Sequence, residues 1–101
     1  MNQYHYYVYI ITNATHAVLY IGVTNDLPTR LQQHFDNRGI DKSFAGKYHC
    51  YKLVYFEQHE WIDHAIEREK ELKKWNRQKK ENLINSFNPE WRELNEDVKE
   101  L

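Results

Sequence analysis

The spacing of apolar residues divides the chain into three strand-like runs and three helix-like segments. Residues 4–12 and 18–23 are rich in β-branched and aromatic residues, and a short polar turn over residues 13–16 separates them. This pattern predicts an antiparallel hairpin. Residues 50–57 have the same composition and predict a third strand. Both faces of the first run are apolar or aromatic, which indicates a sheet covered on both sides.

The first predicted helix covers residues 26–36, directly after the second strand. Its start is marked by Asp26, a residue type that caps helices, and by Pro28, which suits a first turn. Leu27 and Leu31 lie four residues apart and define its buried stripe.

The second predicted helix covers residues 61–75 and has apolar residues at spacings of three and four. Its expected buried stripe consists of Ile62, Ala65, Ile66, Leu72 and Trp75. Glu69 falls on this stripe, whereas Glu67 faces outward. A carboxylate on an apolar face costs free energy unless it is paired or bound to a metal.

A last helix is predicted to begin after Asn76, which would cap it, and to end before Pro89. Its expected buried residues are Leu83, Ile84 and Phe87. Trp91 and Leu94 are expected to pack back on the body, and the acidic end is expected to fray.

These elements predict an α+β fold, a small three-stranded antiparallel sheet flanked by helices. A single domain is expected over residues 1–91, with an acidic tail over residues 92–101 and a loop over the polar residues 36–49. No apolar run is long enough for a membrane span and no signal peptide is recognisable. Cys50 is the single cysteine, so an internal disulfide is excluded. A cytoplasmic protein without membrane contact, monomeric or weakly dimeric, is the expectation.

The charge distribution is uneven although the formal net charge is only −1. Residues 90–101 contain five acidic and two basic residues, which leaves a balance of +2 for residues 1–89. The basic residues near the third helix are Lys73, Lys74, Arg77, Lys79 and Lys80. This run is either a solvated helix face or a contact to the DNA backbone.

Residues 20–34 contain the densest group of chemically active residues. Gly22 has no side chain, so another backbone or a ligand can come close to it. Arg30 and His34 lie four residues apart on the predicted helix and project side by side. A cation and an imidazole just beyond a strand that ends in glycine favour a phosphate site. Considered singly, Arg30 could equally be a solvated residue and His34 a packed one.

This stretch resembles the GIY-YIG nuclease family. Tyr20-Ile21-Gly22 matches the second signature, and Arg30 follows at the distance of the family's catalytic arginine. Tyr7-Val8-Tyr9 occupies the first signature, with Tyr7 in place of its glycine. The resemblance extends over residues 5–91. It implies a metal-dependent DNA endonuclease that uses Mg²⁺ or Mn²⁺.

The resemblance implies catalytic roles for five side chains. Glu69 would be the metal ligand, although a core-edge glutamate bonded to a tyrosine or arginine would also explain its position. Arg30 would stabilise the charge that grows on the phosphate. Tyr9 or Tyr20 would help to remove the proton of the attacking water. His34 would orient that water or protonate the leaving oxygen.

Gly22, Asn88 and the five cations are the expected nucleic-acid-binding residues. Asn88 resembles the asparagine that closes the family's site. A DNA-binding module of the same fold with little or no cleavage is an alternative, favoured by the near-neutral charge and by Tyr7. A purely structural interaction domain would explain the three tryptophans but not Glu69.

Overall fold

The computed structural model describes residues 5–40 and 42–101. The strands in this part of the chain are β1 (Tyr6–Thr12), β2 (Leu19–Thr24) and β3 (Lys52–His59). The helices are α1 (Leu27–Asp36), α2 (Phe44–Lys47), α3 (Ile62–Lys74) and α4 (Arg77–Phe87), followed by a 3₁₀ turn at Glu96–Val98. The predicted α+β fold is confirmed; residue 4 of the first predicted strand lies outside the described residues. None of these helices is long and apolar enough to cross a membrane.

β1 is the central strand of an antiparallel sheet with the order β2-β1-β3. In the β1–β2 pair Tyr9 lies opposite Gly22, and in the β1–β3 pair it lies opposite Phe56. The predicted hairpin therefore brings the two signature segments side by side.

Alternate residues of β1 face two separate cores, because side chains of a strand point to opposite sides in turn. The first core combines Tyr7, Tyr9 and Ile11 with Leu27 and Leu31 of α1. The second combines Val8 and Ile10 with Ala65, Leu72 and Ile84 of α3 and α4. The sheet is thus covered on both faces, as the apolar pattern of its first strand predicts.

The predicted helix starts are confirmed by hydrogen bonds. The Asp26 carboxylate accepts the Thr29 backbone N–H at 3.3 Å, and the Asn76 side chain accepts that of Lys79 at 2.9 Å. Such a cap contributes about 1 kcal/mol, because it satisfies a backbone donor that has no partner inside the helix.

The prediction that residues 36–49 form only a loop is wrong, because α2 lies within them. Ser43 caps this helix by accepting the Gly46 backbone N–H at 3.0 Å. Ala45 is 1% exposed and belongs to the core on the α1 side. A helix of four residues is too short to produce a periodic apolar pattern.

Two residues predicted to be buried are largely exposed. Ile62 is 43% exposed because it is the first residue of α3, and the buried stripe begins one turn later at Ala65. Phe87 is 46% exposed at the end of α4. Its ring packs edge-on against Tyr55 and Phe56, and it covers them from outside.

The acidic end of the chain is packed, so the expectation that it frays is wrong as far as Val98. The Leu94 backbone N–H donates to the Leu53 carbonyl at 2.9 Å. The Asn95 side chain accepts the Leu53 N–H at 2.8 Å and donates to the Tyr51 carbonyl at 2.9 Å. Val98 is 1% exposed. Apolar residues within this charged segment therefore complete the core on the α1 side.

Candidate active site

The hydroxyl of Tyr9 and the imidazole of His34 form a buried hydrogen bond. The distance from Oη to Nε2 is 2.9 Å, and the two residues are 1% and 5% exposed. Tyr9 points from β1 towards α1, and His34 lies in the last turn of α1, three residues beyond the buried Leu31. Two predicted catalytic residues from different elements are thus brought into contact.

Gly22 lies beneath the ring of Tyr9. A Cβ atom at Gly22 would lie 2.5 Å from Cζ of Tyr9 and closer still to its hydroxyl. Carbon atoms without a bond between them do not approach so closely, so only glycine leaves room for this tyrosine. A backbone or a ligand is the expected neighbour of Gly22, and the structure places the side chain of Tyr9 there instead. Its contact with nucleic acid stays a prediction.

Tyr20 lies against the same imidazole. Its ring centroid is 5.4 Å from that of His34 in an edge-on arrangement, while the ring of Tyr9 lies 5.8 Å from His34. The two signature tyrosines therefore flank His34. On its other side Tyr20 stacks on Phe44 of α2, with ring centroids 6.4 Å apart.

Arg30 is half-buried on α1, between the buried Leu27 and Leu31. Its guanidinium Nη1 donates to Oε1 of Gln33 at 2.9 Å, which orients the group. Its positive charge lowers the pKa values of both Tyr9 and His34, although burial is the larger influence on each. The guanidinium is therefore close to the buried pair and still open to a ligand.

Burial determines the proton affinities of the pair. Burial, followed by the charge of Arg30, lowers the pKa of His34 to about 4. Burial raises the pKa of Tyr9 above its ordinary value, and nearby Tyr20 and Glu69 add to the increase against the opposing charge of Arg30. At pH 7 both groups are therefore neutral, and with the imidazole proton on Nδ1 the hydroxyl of Tyr9 donates to Nε2 of His34.

Glu69 faces the sheet side of α3, and Glu67 faces solvent, as the helical phase predicts. The Glu69 side chain is 14% exposed and its carboxylate forms an ion pair of 2.8 Å with Nζ of Lys73. Glu67 is exposed. Because the charge of Glu69 raises the pKa of Tyr9, the carboxylate lies within electrostatic reach of the buried pair.

A divalent cation at this site would depend on Glu69. Within residues 5–40 and 42–101, no group of three His, Cys, Asp or Glu residues could hold a metal ion. A partly buried carboxylate is nevertheless a suitable donor for Mg²⁺, which commonly uses one or two carboxylates and keeps several waters. In the structure the ammonium of Lys73 neutralises this carboxylate. The residues present therefore fit a metal held by Glu69, water and a substrate phosphate.

Three of the five predicted DNA-contacting cations are engaged within the protein, and one of them is Lys73 in its ion pair with Glu69. Arg77 donates to the backbone carbonyls of His16 at 2.6 Å and Ala17 at 2.9 Å, which ties α4 to the β1–β2 turn. The ammonium of Lys79 lies 4.4 Å from the centroid of the Trp75 ring. These contacts compete with any phosphate contact.

Lys73 and Lys80 lie beside Tyr20. They line a cavity of about 290 Å³ whose other walls are Leu19, Tyr20, Ile21 and Phe44. Lys74 is exposed and lines a separate cavity beside Trp75. Of the predicted cations, Lys73 and Lys80 are therefore the best placed to meet a phosphate near Tyr20.

Asn88 is bonded to the backbone at the end of α4. Its two amide protons are donated to the carbonyls of Val54 at 3.1 Å and Arg92 at 2.8 Å, and its Oδ1 accepts the Arg92 N–H at 3.1 Å. The residue is 7% exposed. Asn88 thus joins α4 to β3 and the C-terminal segment. Its contact with nucleic acid stays a prediction, and both amide protons already have partners within the protein.

Tyr7 and Phe44 are the residues at which the sequence pattern is least informative. Tyr7, which replaces the glycine of the first signature, is 5% exposed and packs in the core with Tyr9. The replacement therefore fills the core and leaves the Tyr9–His34 contact in place. Phe44 is absent from the predicted site residues, although a large apolar residue after a helix-capping serine within a polar stretch is a detectable signal.

Comparison with known proteins identifies the same family as the two signature segments. Residues 5–82 match the model of the GIY-YIG catalytic domain. The UPF0213 protein of Haloquadratum walsbyi is 36% identical over 83 residues, which cover 82% of this chain and 89% of that protein. The UPF0213 protein of Staphylococcus aureus strain Mu3 is 35% identical over 79 residues, which cover 78% and 93%. The solution NMR structure of a UPF0213 protein from Bacillus halodurans has a TM-score of 0.55 at 26% identity and covers 88% of this chain and 92% of that one.

Proposed function

Because the chain belongs to the GIY-YIG catalytic domain family, we propose that it is a metal-dependent endonuclease that hydrolyses phosphodiester bonds of DNA. The observation that carries this proposal is the buried hydrogen bond between Tyr9 and His34 next to Arg30. Titratable groups with strongly shifted pKa values beside a cation are typical of sites that transfer protons.

Tyr9 and His34 provide a path for the proton of the attacking water. The water gives its proton to the oxygen of Tyr9 while Tyr9 passes its own proton to Nε2 of His34. His34 is a free base at pH 7, but a weak one, because burial and the charge of Arg30 lower its pKa. A phosphate bound at Arg30 offsets that positive charge, so substrate binding raises the basicity of the imidazole. The ring of Tyr20 packs edge-to-face with the imidazole and holds it in place.

Arg30 binds the phosphate and stabilises the charge that develops in the transition state. Its planar guanidinium offers parallel donors that fit two phosphate oxygens. Gln33 holds one nitrogen at 2.9 Å and leaves the other donors available. Preorganised donors of this kind contribute strongly because they need little reorientation during the reaction.

Glu69 is the group that would hold Mg²⁺ or Mn²⁺ together with water and a phosphate oxygen. When bound, such an ion polarises the phosphodiester and stabilises the leaving oxygen. Glu69 is presented by the inner side of α3, and Lys73 now neutralises it. With a divalent cation on Glu69, the ammonium of Lys73 would be available to contact the DNA backbone.

The test is a cleavage assay on plain duplex, flapped, branched and single-stranded DNA with Mg²⁺, Mn²⁺ or EDTA. We expect cleavage of at least one substrate only when metal is present. Glu69→Gln should abolish it, and the matched variant Glu67→Gln, on the solvent side of the same helix, should retain it. A folded protein that binds these DNAs and cuts none of them with either metal would contradict the proposal.

A DNA-binding module of the same fold is the second candidate, and the weak overall charge favours it. The net charge is −1, and Arg77 and Lys79 are engaged within the protein. Both observations bear on the affinity for DNA. Neither concerns Tyr9, Arg30, His34 or Glu69, which the cleavage mechanism uses, so the nuclease remains the better supported function.

A further inference from the structure

We propose that Tyr20, Phe44 and Tyr48 form a stacking platform for an unpaired nucleobase of the DNA substrate. We call these three residues the aromatic platform. The inference rests on the proposed function and specifies its substrate: a DNA strand with an unpaired nucleotide next to the scissile phosphate.

The aromatic platform is a continuous series of rings with an open surface. Tyr20 and Phe44 stack with an interplanar angle of 26°, and the ring centroids of Phe44 and Tyr48 are 4.8 Å apart. Phe44 is 53% exposed and Tyr48 is 39% exposed. Aromatic rings left in contact with water offer a flat surface on which any base can stack.

The helix α2 fixes the platform in position. Ser43 caps the helix, and Ala45 is buried in the core on the α1 side. The Tyr48 backbone N–H donates to the Phe44 carbonyl at 3.2 Å, which fixes the backbone of the two residues relative to each other. The exposed rings therefore have a rigid support, which lowers the entropic cost of binding a base.

The charges around the platform suit the backbone of a nucleic acid. Lys73 and Lys80 line the cavity that lies against Tyr20 and Phe44. At the other end of the platform, the ammonium of Lys47 lies 5.6 Å from the centroid of the Tyr48 ring. A stacking surface with cations at both ends is the arrangement by which proteins bind single-stranded nucleic acids. It therefore fits one base with a phosphate on either side.

Tyr20 connects the platform to the proposed catalytic residues. Its ring is stacked with that of Phe44 and lies edge-to-face with that of His34, at centroid distances of 6.4 and 5.4 Å. A base that stacks on Phe44 is thus one aromatic ring away from the imidazole. Bases inside an intact duplex are stacked on each other and paired, so the platform selects a nucleotide that is free of both constraints.

The test uses binding, so that cleavage does not enter the measurement. A single-stranded DNA oligonucleotide that contains 2-aminopurine is titrated in EDTA, and both its fluorescence and its anisotropy are recorded. The wild-type protein should quench the 2-aminopurine by stacking. Phe44→Ala should lose the quenching and bind about 5- to 150-fold more weakly, whereas Phe44→Trp should retain both.

Phe87→Ala is the matched control. Phe87 is also about half exposed, at 46%, but it covers β3, at the sheet edge opposite β2. The Phe87→Ala variant should therefore bind the oligonucleotide and quench its fluorescence like the wild type. Melting curves should show that all three variants are folded. Unchanged quenching and affinity in Phe44→Ala would overturn the platform, even if the protein cleaves DNA. Phe44-dependent quenching in a wild-type protein that cuts no DNA would support the platform and overturn the nuclease.

Discussion

The hydroxyl of Tyr9 lies 2.9 Å from Nε2 of His34, and both side chains are almost completely buried. Each group would lose hydrogen bonds with water on burial, and each supplies the other with a partner. The contact therefore serves the fold as well as the proposed chemistry. Because burial shifts the pKa of His34, the free energy of unfolding should depend on pH, and this dependence reports the protonation state of His34.

Stability should fall as the pH is lowered from about 6.5 to about 4. The unfolded chain binds a proton at the ordinary histidine pKa of 6.5, but the folded protein keeps His34 neutral until about pH 4. Between these values the unfolded state binds more protons, so acid favours unfolding. This single group should lower the free energy of unfolding by about 2–3 kcal/mol between pH 7 and pH 4.

Urea unfolding at both pH values measures this contribution. His34→Gln is the comparison, because other titrating groups act alike in both proteins and only the histidine contribution is removed. The variant should show a smaller loss of stability in acid. An identical pH dependence in the two proteins would mean that the folded state protonates His34 normally.

Arg30→Ala should impair cleavage far more than folding. Arg30 is half-buried and belongs to neither core, so the free energy of unfolding should change by roughly 0.5–1 kcal/mol. Single-turnover cleavage should fall by about 10²–10³-fold, and Arg30→Lys should recover only part of the loss, since lysine lacks the planar donors. NMR titration should show a higher pKa for His34, because a nearby positive charge is gone. Arg38→Ala is the control, since Arg38 stacks on Phe35 outside the site.

Gly22→Ala should destabilise the protein through its clash with Tyr9. The added methyl group would overlap the ring of a residue that is 1% exposed, and such overpacking costs about 1–3 kcal/mol. In a Tyr9→Ala background the same substitution should cost much less, because the clashing ring is absent. Equal costs in the two backgrounds, measured by urea unfolding, would show that Gly22 is needed for another reason.

The parts of the structure that repeat over several residues could be predicted from the sequence. The hairpin and three of the helices follow from apolar spacing and from the capping residues Asp26 and Asn76. The different orientations of Glu69 and Glu67 follow from helical phase alone. The signatures then identify Tyr9 and Tyr20, and the hairpin explains why they lie close together.

The parts that depend on a single distant partner could not be predicted. Asn88 has the same amide whether it binds DNA or the backbone, and only the position of the Val54 carbonyl distinguishes the two. Val98 is one apolar residue in an acidic segment, and its partners lie far away in the sequence. Phe44 belongs to a helix of four residues, which leaves no periodic signal, so only its position after the capping Ser43 could have indicated it.

Glu69→Gln should lose metal binding, and Glu67→Gln should retain it. The amide of glutamine keeps the shape of the side chain but removes the negative charge that attracts a divalent cation. Isothermal titration with Mn²⁺ on the folded proteins measures this difference without any cleavage. Equal loss in both variants, or loss only in Glu67→Gln, would contradict Glu69 as the ligand.

The cations of the basic run should separate into those that contact DNA and those that support the fold. Lys80→Ala should lower the slope of log binding constant against log salt concentration by about 0.7–0.9, since Lys80 lines the cavity beside the proposed site. Arg77→Ala should leave that slope unchanged. It should instead lower the free energy of unfolding by about 1 kcal/mol, because two backbone carbonyls in the β1–β2 turn lose their donor. Salt titrations of DNA binding and urea unfolding on the same preparations measure both effects. A reduced salt slope in Arg77→Ala with unchanged stability would mean that Arg77 leaves the turn to bind phosphate, and an unchanged slope in Lys80→Ala would make that residue part of a solvated face.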